Sequence, residues 1–226
     1  MNWFSEAVSS SIGRKIVMAV TGLFLCSFLI IHASGNFSLF SDDGGLGFNA
    51  YTKFMTTNPI IRVMEIVLLL GFVFHIWQGF ALSYKNRKAR PVRYAVWKPE
   101  ENTTSWASRN MGLLGTIIFI FLLVHLWNFY FKLKFGEIPY DAAGNKNLFL
   151  VVKESFENPI YSIFYVISMV FLAFHLHHGF QSAFHTMGWN HKKYTPFIKF
   201  AGTAFAIIIS AAFAAMPLYF LVFNNG

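Results

Sequence analysis

The sequence predicts an all-α fold, an integral membrane bundle of five transmembrane helices with its N-terminus in the cytoplasm. Three observations carry that expectation. Of the 226 residues, 55% are hydrophobic and only 12% are charged, roughly half the charged share of an ordinary soluble domain. The apolar residues gather in runs instead of alternating, and five runs approach the ~20 residues that cross a bilayer. The Lys and Arg side chains are also unevenly divided. The N-terminal segment and the loops after the second and fourth runs hold twelve, against six in the two opposite loops, the bias expected when the former lie inside. The net charge of +8 therefore reflects topology, and no nucleic acid is expected as a partner. One domain over residues 1–226 is expected, with spans near 14–35, 59–84, 109–132, 159–185 and 197–223. Its place would be the inner (cytoplasmic) membrane of a cell, in contact with lipid.

Each element has a local reason. Asn2–Ser11 reads as an amphipathic stretch, with Trp3, Phe4 and Val8 suited to the interface. The first span follows Arg14-Lys15 and holds Cys26, the single cysteine. One cysteine excludes an intrachain disulfide, a Cys-ligated iron–sulfur cluster and C-x-x-C-H haem attachment, and leaves Cys26 as a small apolar packing residue. Ala33-Ser34-Gly35 resembles a signal-peptide cleavage site, but cleavage would orphan His32, so the span is read as retained.

The second and fourth spans are an internal repeat at an offset of 100. Asn58-Pro59-Ile60 matches Asn158-Pro159-Ile160, Phe74-His75 matches Phe174-His175, and Gly79-Phe80 matches Gly179-Phe180. Each Asn-Pro reads as an N-cap followed by proline at the first helical position, so both helices start outside and run inward. Gly79 and Gly179, four residues past their histidines, share the same face and let a flat ring approach the backbone. The first and third spans match more loosely, His32 preceding Asn36-Phe37 and His125 preceding Asn128-Phe129. The fifth has no histidine, and Ala201, Gly202, Ala204, Ala211, Ala212 and Ala215 give it a face for close packing. Pro217 is expected to kink its outer end, before an outside tail Asn224-Asn225-Gly226.

The loop Tyr84–Ser108, broken by Arg90-Pro91 and Lys98-Pro99-Glu100, contains no phosphate-binding glycine pattern and no nucleophile motif. The loop Lys132–Glu157 has turn chemistry at Asp141-Ala142-Ala143-Gly144 and an expected interfacial helix over Leu148–Phe156.

His32, His75, His125 and His175 stand on four consecutive spans, where an ionisable or metal-binding group is costly and marks function. Depth follows from helical rise. His75 and His175 lie roughly 15 Å from the inner helix ends, and His32 and His125 roughly 24–27 Å. They form an inner and an outer pair, the donor set for two bis-histidine haems in a helical interior. Zinc would want four ligands at one depth. His177 and His178 compete with His175, but the repeat with His75 selects His175. His185 and His191, at the inner rim, are haem-propionate partners or simply solvated.

With these residues in place, the chain resembles, over nearly its whole length, the dihaem cytochrome b membrane anchor of succinate:quinone oxidoreductase (succinate dehydrogenase or fumarate reductase) of the five-helix, single-anchor type. The resemblance is carried by Ser11-Ile12-Gly13-Arg14-Lys15 and Ile31-His32, then Arg62-x-x-Glu65 and His75-x-x-x-Gly79. It continues with His125-Leu126-Trp127 and Phe174-His175-x-x-x-Gly179. The resemblance implies a complex in which a cytoplasmic FAD flavoprotein oxidises succinate and an iron–sulfur subunit relays electrons. The anchor would pass them through two non-covalent b haems to a quinone, expected to be menaquinone. FAD and the iron–sulfur clusters would sit in those partners. No catalytic residue for dicarboxylates is found in this chain, so it would be an enzyme only as part of the complex. Ala173 stands where some fumarate reductases of this type carry a glutamate, which favours succinate oxidation.

A quinone needs hydrogen-bond donors and a proton carrier. Near the outer pair the candidates are Glu65, Arg62, Trp127 and Asn128, although Arg62 and Glu65 at i and i+3 equally suit an interfacial ion pair. A stand-alone dihaem carrier of the b561 kind is the alternative, and the basic inner face favours docking partners instead. A transporter would need polar residues along a path, and Lys, Asp and Arg are missing from the span centres.

Overall fold

The computed structural model describes residues 10–89 and 106–223. The amphipathic stretch before Ser10, most of the loop after Tyr84 and the tail after Phe223 lie outside them. Five helices are long and apolar enough to cross a bilayer. These are α1 (Ser11–Asn36, prolonged by a 3-10 turn to Phe40), α3 (Pro59–Lys88), α4 (Met111–His125), α6 (Pro159–Thr186) and α7 (Thr195–Phe223). Helix α4 runs on through a π-helical stretch, Leu126–Phe131, into Lys132–Phe135. Two shorter helices, α2 (Leu46–Thr57) and α5 (Leu148–Glu157), lie in the connections. The described residues contain no strand, and the chain is an all-α, multi-pass membrane protein.

The starts are fixed by side chains. Asn58 Oδ1 accepts from Ile60 N at 2.9 Å, and Asn158 Oδ1 from Ile160 N at 3.0 Å, each supplying an acceptor to an otherwise orphaned N–H. Ser10 caps α1 by accepting from Gly13 N at 2.9 Å. Four of the long helices close a ring, in which α1 packs on α3 and α6, and α4 on the same two. Helix α7 lies outside the ring against α6 and the edge of α1. The diagonals of the ring are α1–α4 and α3–α6.

Where water is the solvent, faces such as Val63, Ile66, Leu69 and Trp77 of α3, all exposed, would be untenable. Lipid tails make them ordinary. Helix α7 differs from the alanine face read in its sequence. Its buried stripe is Gly202, Ala206, Ile209, Ser210, Met216, Pro217 and Phe220, while Ala211 and Ala215 face outward. Gly202 is where close packing matters, since a methyl there would come within 2.7 Å of the Phe180 ring. Pro217 is buried inside α7, which continues past it to Phe223.

Helix α2 was not legible in the sequence, and α5 caps the bundle instead of only floating at an interface. Leu148, Val151, Val152 and Phe156 are buried on α5 and pack with Leu39, Phe48, Tyr165, Met216 and Phe220. Asn49 of α2, 1% exposed, ties the two connections together. Its amide donates to Asp141 Oδ2 (3.1 Å) and Asn147 Oδ1 (3.0 Å), and its Oδ1 accepts from Phe149 N (2.9 Å). Gly45, at φ +85°, starts α2 where any side chain would collide with Phe149. Helices α2 and α5 thus share one end of the bundle, the end that the charge pattern assigns to the outside.

Removing the Asn49 amide strands buried donors and acceptors at a cost of about 1–3 kcal/mol. Asn49→Ala is expected to lose hydrogen-exchange protection over 141–152 while the spans keep theirs. Protection equal to the parent's would deny Asn49 this role. The same turn responds to acid. Asp141 accepts from the backbone of Asn145 (2.8 Å) and Ala143 (3.0 Å) and from Asn49. These bonds, the Asn145 N–H foremost, hold its carboxyl below the usual carboxylate range. A depressed folded pKa gives stability that is whole above the unfolded value, about 3.9, and vanishes as pH falls through the folded one. Exchange in the turn is expected to rise below about pH 4, and Asp141→Asn to abolish that pH dependence.

Candidate functional site

The ring's diagonals carry the histidines. His75 of α3 faces His175 of α6, with ring centroids 6.2 Å apart, and His32 of α1 faces His125 of α4 at 5.8 Å. The ring planes cross at 70° and 86°, so neither pair is a stack. Two imidazoles bound through nitrogen to one metal ion at about 2 Å per bond have centroids about 6 Å apart. Both pairs stand at that separation, on crossed diagonals.

The two levels are set by helical rise. Thr21 and Gly22 of α1 lie beside His75, and Gly115 of α4 lies beside His175. His32 and His125 each follow those glycines by ten residues, so the pairs are about 15 Å apart along the bundle. A methyl on Gly22 would sit 3.3 Å from His75 Cε1, and one on Gly115 3.9 Å from His175 Cε1. Each outer-pair helix therefore offers bare backbone to an inner-pair ring. Gly79 and Gly179 have other surroundings. A methyl on Gly79 would meet Met18 at 3.7 Å, and one on Gly179 would have nothing within 4 Å.

Three of the rings are held at Nδ1. Asn36 Nδ2 lies 3.4 Å from His32 Nδ1, Thr21 Oγ1 3.3 Å from His75 Nδ1, and Tyr165 Oη 3.4 Å from His125 Nδ1. Tyr165, 5% exposed, is itself bonded to Tyr161 Oη at 2.9 Å. A hydroxyl that accepts from Nδ1–H, as Thr21 and Tyr165 can, leaves Nε2 as the nitrogen for a metal and fixes the ring's orientation, whereas the Asn36 amide nitrogen can only donate to His32. Among the described residues, buried His175 Nδ1 has no hydrogen-bond partner. Paired imidazoles at that separation, with backbone bared at Gly22 and Gly115, fit haem.

His177 and His178 do not share the contact with His75. His177 Nε2 is 3.1 Å from the Gln181 amide nitrogen. His185 and His191 are exposed. Cys26 is half-buried in α1.

The quinone candidates are split. Glu65 of α3 accepts from Arg62 (3.3 Å), Lys134 (3.1 Å) and the Tyr130 hydroxyl. Tyr130 lies in the π-helical stretch after His125, and its hydroxyl reaches Glu65 from α4. Asn128 points elsewhere, donating to Ser155 Oγ at 2.8 Å. Trp127 is 74% exposed, beside Phe131. Tyr130, Lys134, Tyr165, Gly22 and Gly115 were not singled out from the sequence. A ten-residue interval before each outer histidine was the available signal for the two glycines. No family model, curated protein or solved structure matches the chain.

Filling the bared backbone separates a cradle from ordinary packing. Gly22→Leu and Gly115→Leu are expected to halve the haem per chain in a pyridine-haemochrome assay, with Gly79→Ala unchanged. Full haem content in both leucine variants would refute the cradle.

Proposed function

We propose that the chain is the membrane anchor and electron-transfer subunit of a succinate:quinone oxidoreductase, passing electrons from an iron–sulfur subunit through two b haems to a quinone, with menaquinone as the expected acceptor. The observation that carries the reading is the two histidine pairs, 6.2 and 5.8 Å apart by ring centroid on crossed diagonals. The choice of complex rests on the sequence resemblance. Haem, when bound, supplies one-electron redox chemistry at each level.

The chain's own residues do the rest. His75 and His175 would hold the inner iron, His32 and His125 the outer, while Thr21, Asn36 and Tyr165 keep three rings from turning. The apolar interior excludes water. Reduction of a quinone consumes protons with its electrons, and a positioned carboxylate is a suitable carrier. Glu65, between Tyr130, Lys134 and Arg62 at the outer end, is that group. Lys85, Arg87 and Lys88 end α3 on the opposite side, and with Lys192, Lys193 and Lys199 they form the basic face on which the iron–sulfur subunit and its flavoprotein would dock. Charge-steered docking of this kind weakens with salt.

Purified from membranes, the protein is expected to give two low-spin b haems per chain. His32→Ala or His125→Ala should abolish one redox component, and His75→Ala or His175→Ala the other. One haem, or high-spin iron, would sink the bis-histidine reading. Dihaem protein that never copurifies with flavin and iron–sulfur subunits would point to the stand-alone carrier.

Sending an electron outward across the whole membrane is worth about 2.3 kcal/mol per 100 mV. With an outer quinone site the electron moves toward the positive face, so succinate:menaquinone activity in sealed, energised vesicles should fall on uncoupling, and fall at least about tenfold in Glu65→Gln. Indifference to both would move quinone chemistry to the inner level.

A further inference from the structure

The outer connections enclose a site that uses none of the histidines. Six Lys and Arg side chains fall on the side assigned to the outside: Lys53, Arg62, Lys132, Lys134, Lys146 and Lys153. Four of the six, Lys53, Arg62, Lys134 and Lys146, line one cavity of about 300 Å³. They arrive from four places: α2, the start of α3, the end of α4 and the turn before α5. Among the described residues, no carboxylate lines it. Asp141, next to it, is occupied by Asn49, Ala143 and Asn145, and Lys153 is engaged elsewhere with Glu157 at 3.7 Å. Arg62 and Lys134 share a single carboxylate, Glu65, so the four cations carry more positive charge than that one partner offsets, which favours an anion among them.

The cations also keep donors to spare. Lys134 gives one bond to Glu65 (3.1 Å), Arg62 one to Glu65 (3.3 Å) and Lys146 one to the Leu133 carbonyl (2.8 Å). An ammonium has three N–H donors and a guanidinium five. Several N–H groups thus remain for a group with many acceptor oxygens. A phosphate has that shape, and charge-assisted bonds to it are among the stronger ones. The position adds a second argument. The cavity takes Arg62 from the start of α3 and Leu133 and Lys134 from the end of α4, and on those same segments Ile60, Val63 and Phe135 are 73%, 61% and 79% exposed. That is headgroup level, with apolar surface directly below.

We propose that this cavity binds a net-anionic phosphate, supplied by the headgroup of an acidic phospholipid or by free phosphate. The test uses the full chain in neutral detergent, with native mass spectrometry and thermal shift as readouts and haem absorbance recorded in parallel. Dioleoylphosphatidylglycerol is expected to bind saturably, one per chain, at least about tenfold more tightly than dioleoylphosphatidylcholine. The Lys53→Gln/Lys146→Gln variant should lose about tenfold in that affinity, while Lys132→Gln/Lys153→Gln keeps it. Lys53→Gln alone, at an exposed position, serves if the double variant misfolds, with a smaller loss in the same direction. Inorganic phosphate that stabilises the parent but not the cavity variant, with no preference between the lipids, would identify free phosphate as the source. Equal binding of both lipids without a phosphate effect, or cavity variants indistinguishable from the control, would overturn the proposal whatever the haem content.

Discussion

A polar ring inside a bilayer has to find its partners within the protein, and four such rings govern this bundle. A neutral imidazole has one N–H and one bare nitrogen, and with no water at hand each is expensive to leave alone. Pairing the rings across the diagonals of a four-helix ring meets that demand at the least cost in shape. Neighbouring helices pack side chain against side chain, whereas diagonal partners leave room for large groups between them. Setting one pair on each diagonal, about 15 Å apart along the axis, keeps the two levels from competing for the same space. The glycines follow from this arrangement. At each level the two helices without a histidine must stand back, and α1 and α4 do so at the inner level through Gly22 and Gly115.

The inner and outer levels are not equivalent. At the inner level one ring, His75, has Thr21 as its neighbour, and buried His175 Nδ1 has none among the described residues. At the outer level both rings have one, Asn36 and Tyr165. Partners on a ligating imidazole raise its basicity and tune the metal it holds. If each pair holds a haem as proposed, unequal surroundings for two chemically identical donor sets would make the two centres differ while the ligands stay the same. The repeat at offset 100 contributes to this difference. Residues 65 and 165 occupy equivalent positions, ten before their histidines, yet one is a glutamate at a charged rim and the other a tyrosine in the core.

How much of this was legible in the sequence depended on whether the signal lay within one helix. The five apolar runs and the Asn-Pro starts are properties of single segments, and the structure has five long apolar helices with Asn58 and Asn158 as caps. The glycine cradle needs knowledge of which helix stands opposite, which no single segment contains. Helix α2 is short and only moderately apolar, and nothing in Leu46–Thr57 marks it against a loop until Asn49 is seen bridging to Asp141 and Phe149. Helix α7 misled for the opposite reason. A segment apolar all round has no periodicity to say which alanines are inside, so only contact with Phe180 picks out Gly202. The separation of Asn128 from Glu65 was hidden by the π turn, because an α-helical wheel places the residues after His125 on the wrong faces.

That π turn links the outer histidine level to the rim chemistry. Phe129 packs on the His125 ring, with centroids 5.4 Å apart. Tyr130 reaches Glu65, with Lys134 one turn on. Glu65 is thereby held between a phenol and two cations, and two of its three partners come from the helix that bears His125. Any shift of that helix end alters the carboxylate's company without touching the histidine itself. Arg62 and Lys134 also line the basic cavity, so an anion seated there would draw on the same side chains that hold Glu65. The outer end therefore joins three things through a few side chains: the ring of His125, a carboxylate able to exchange protons, and a patch of spare positive charge at headgroup level.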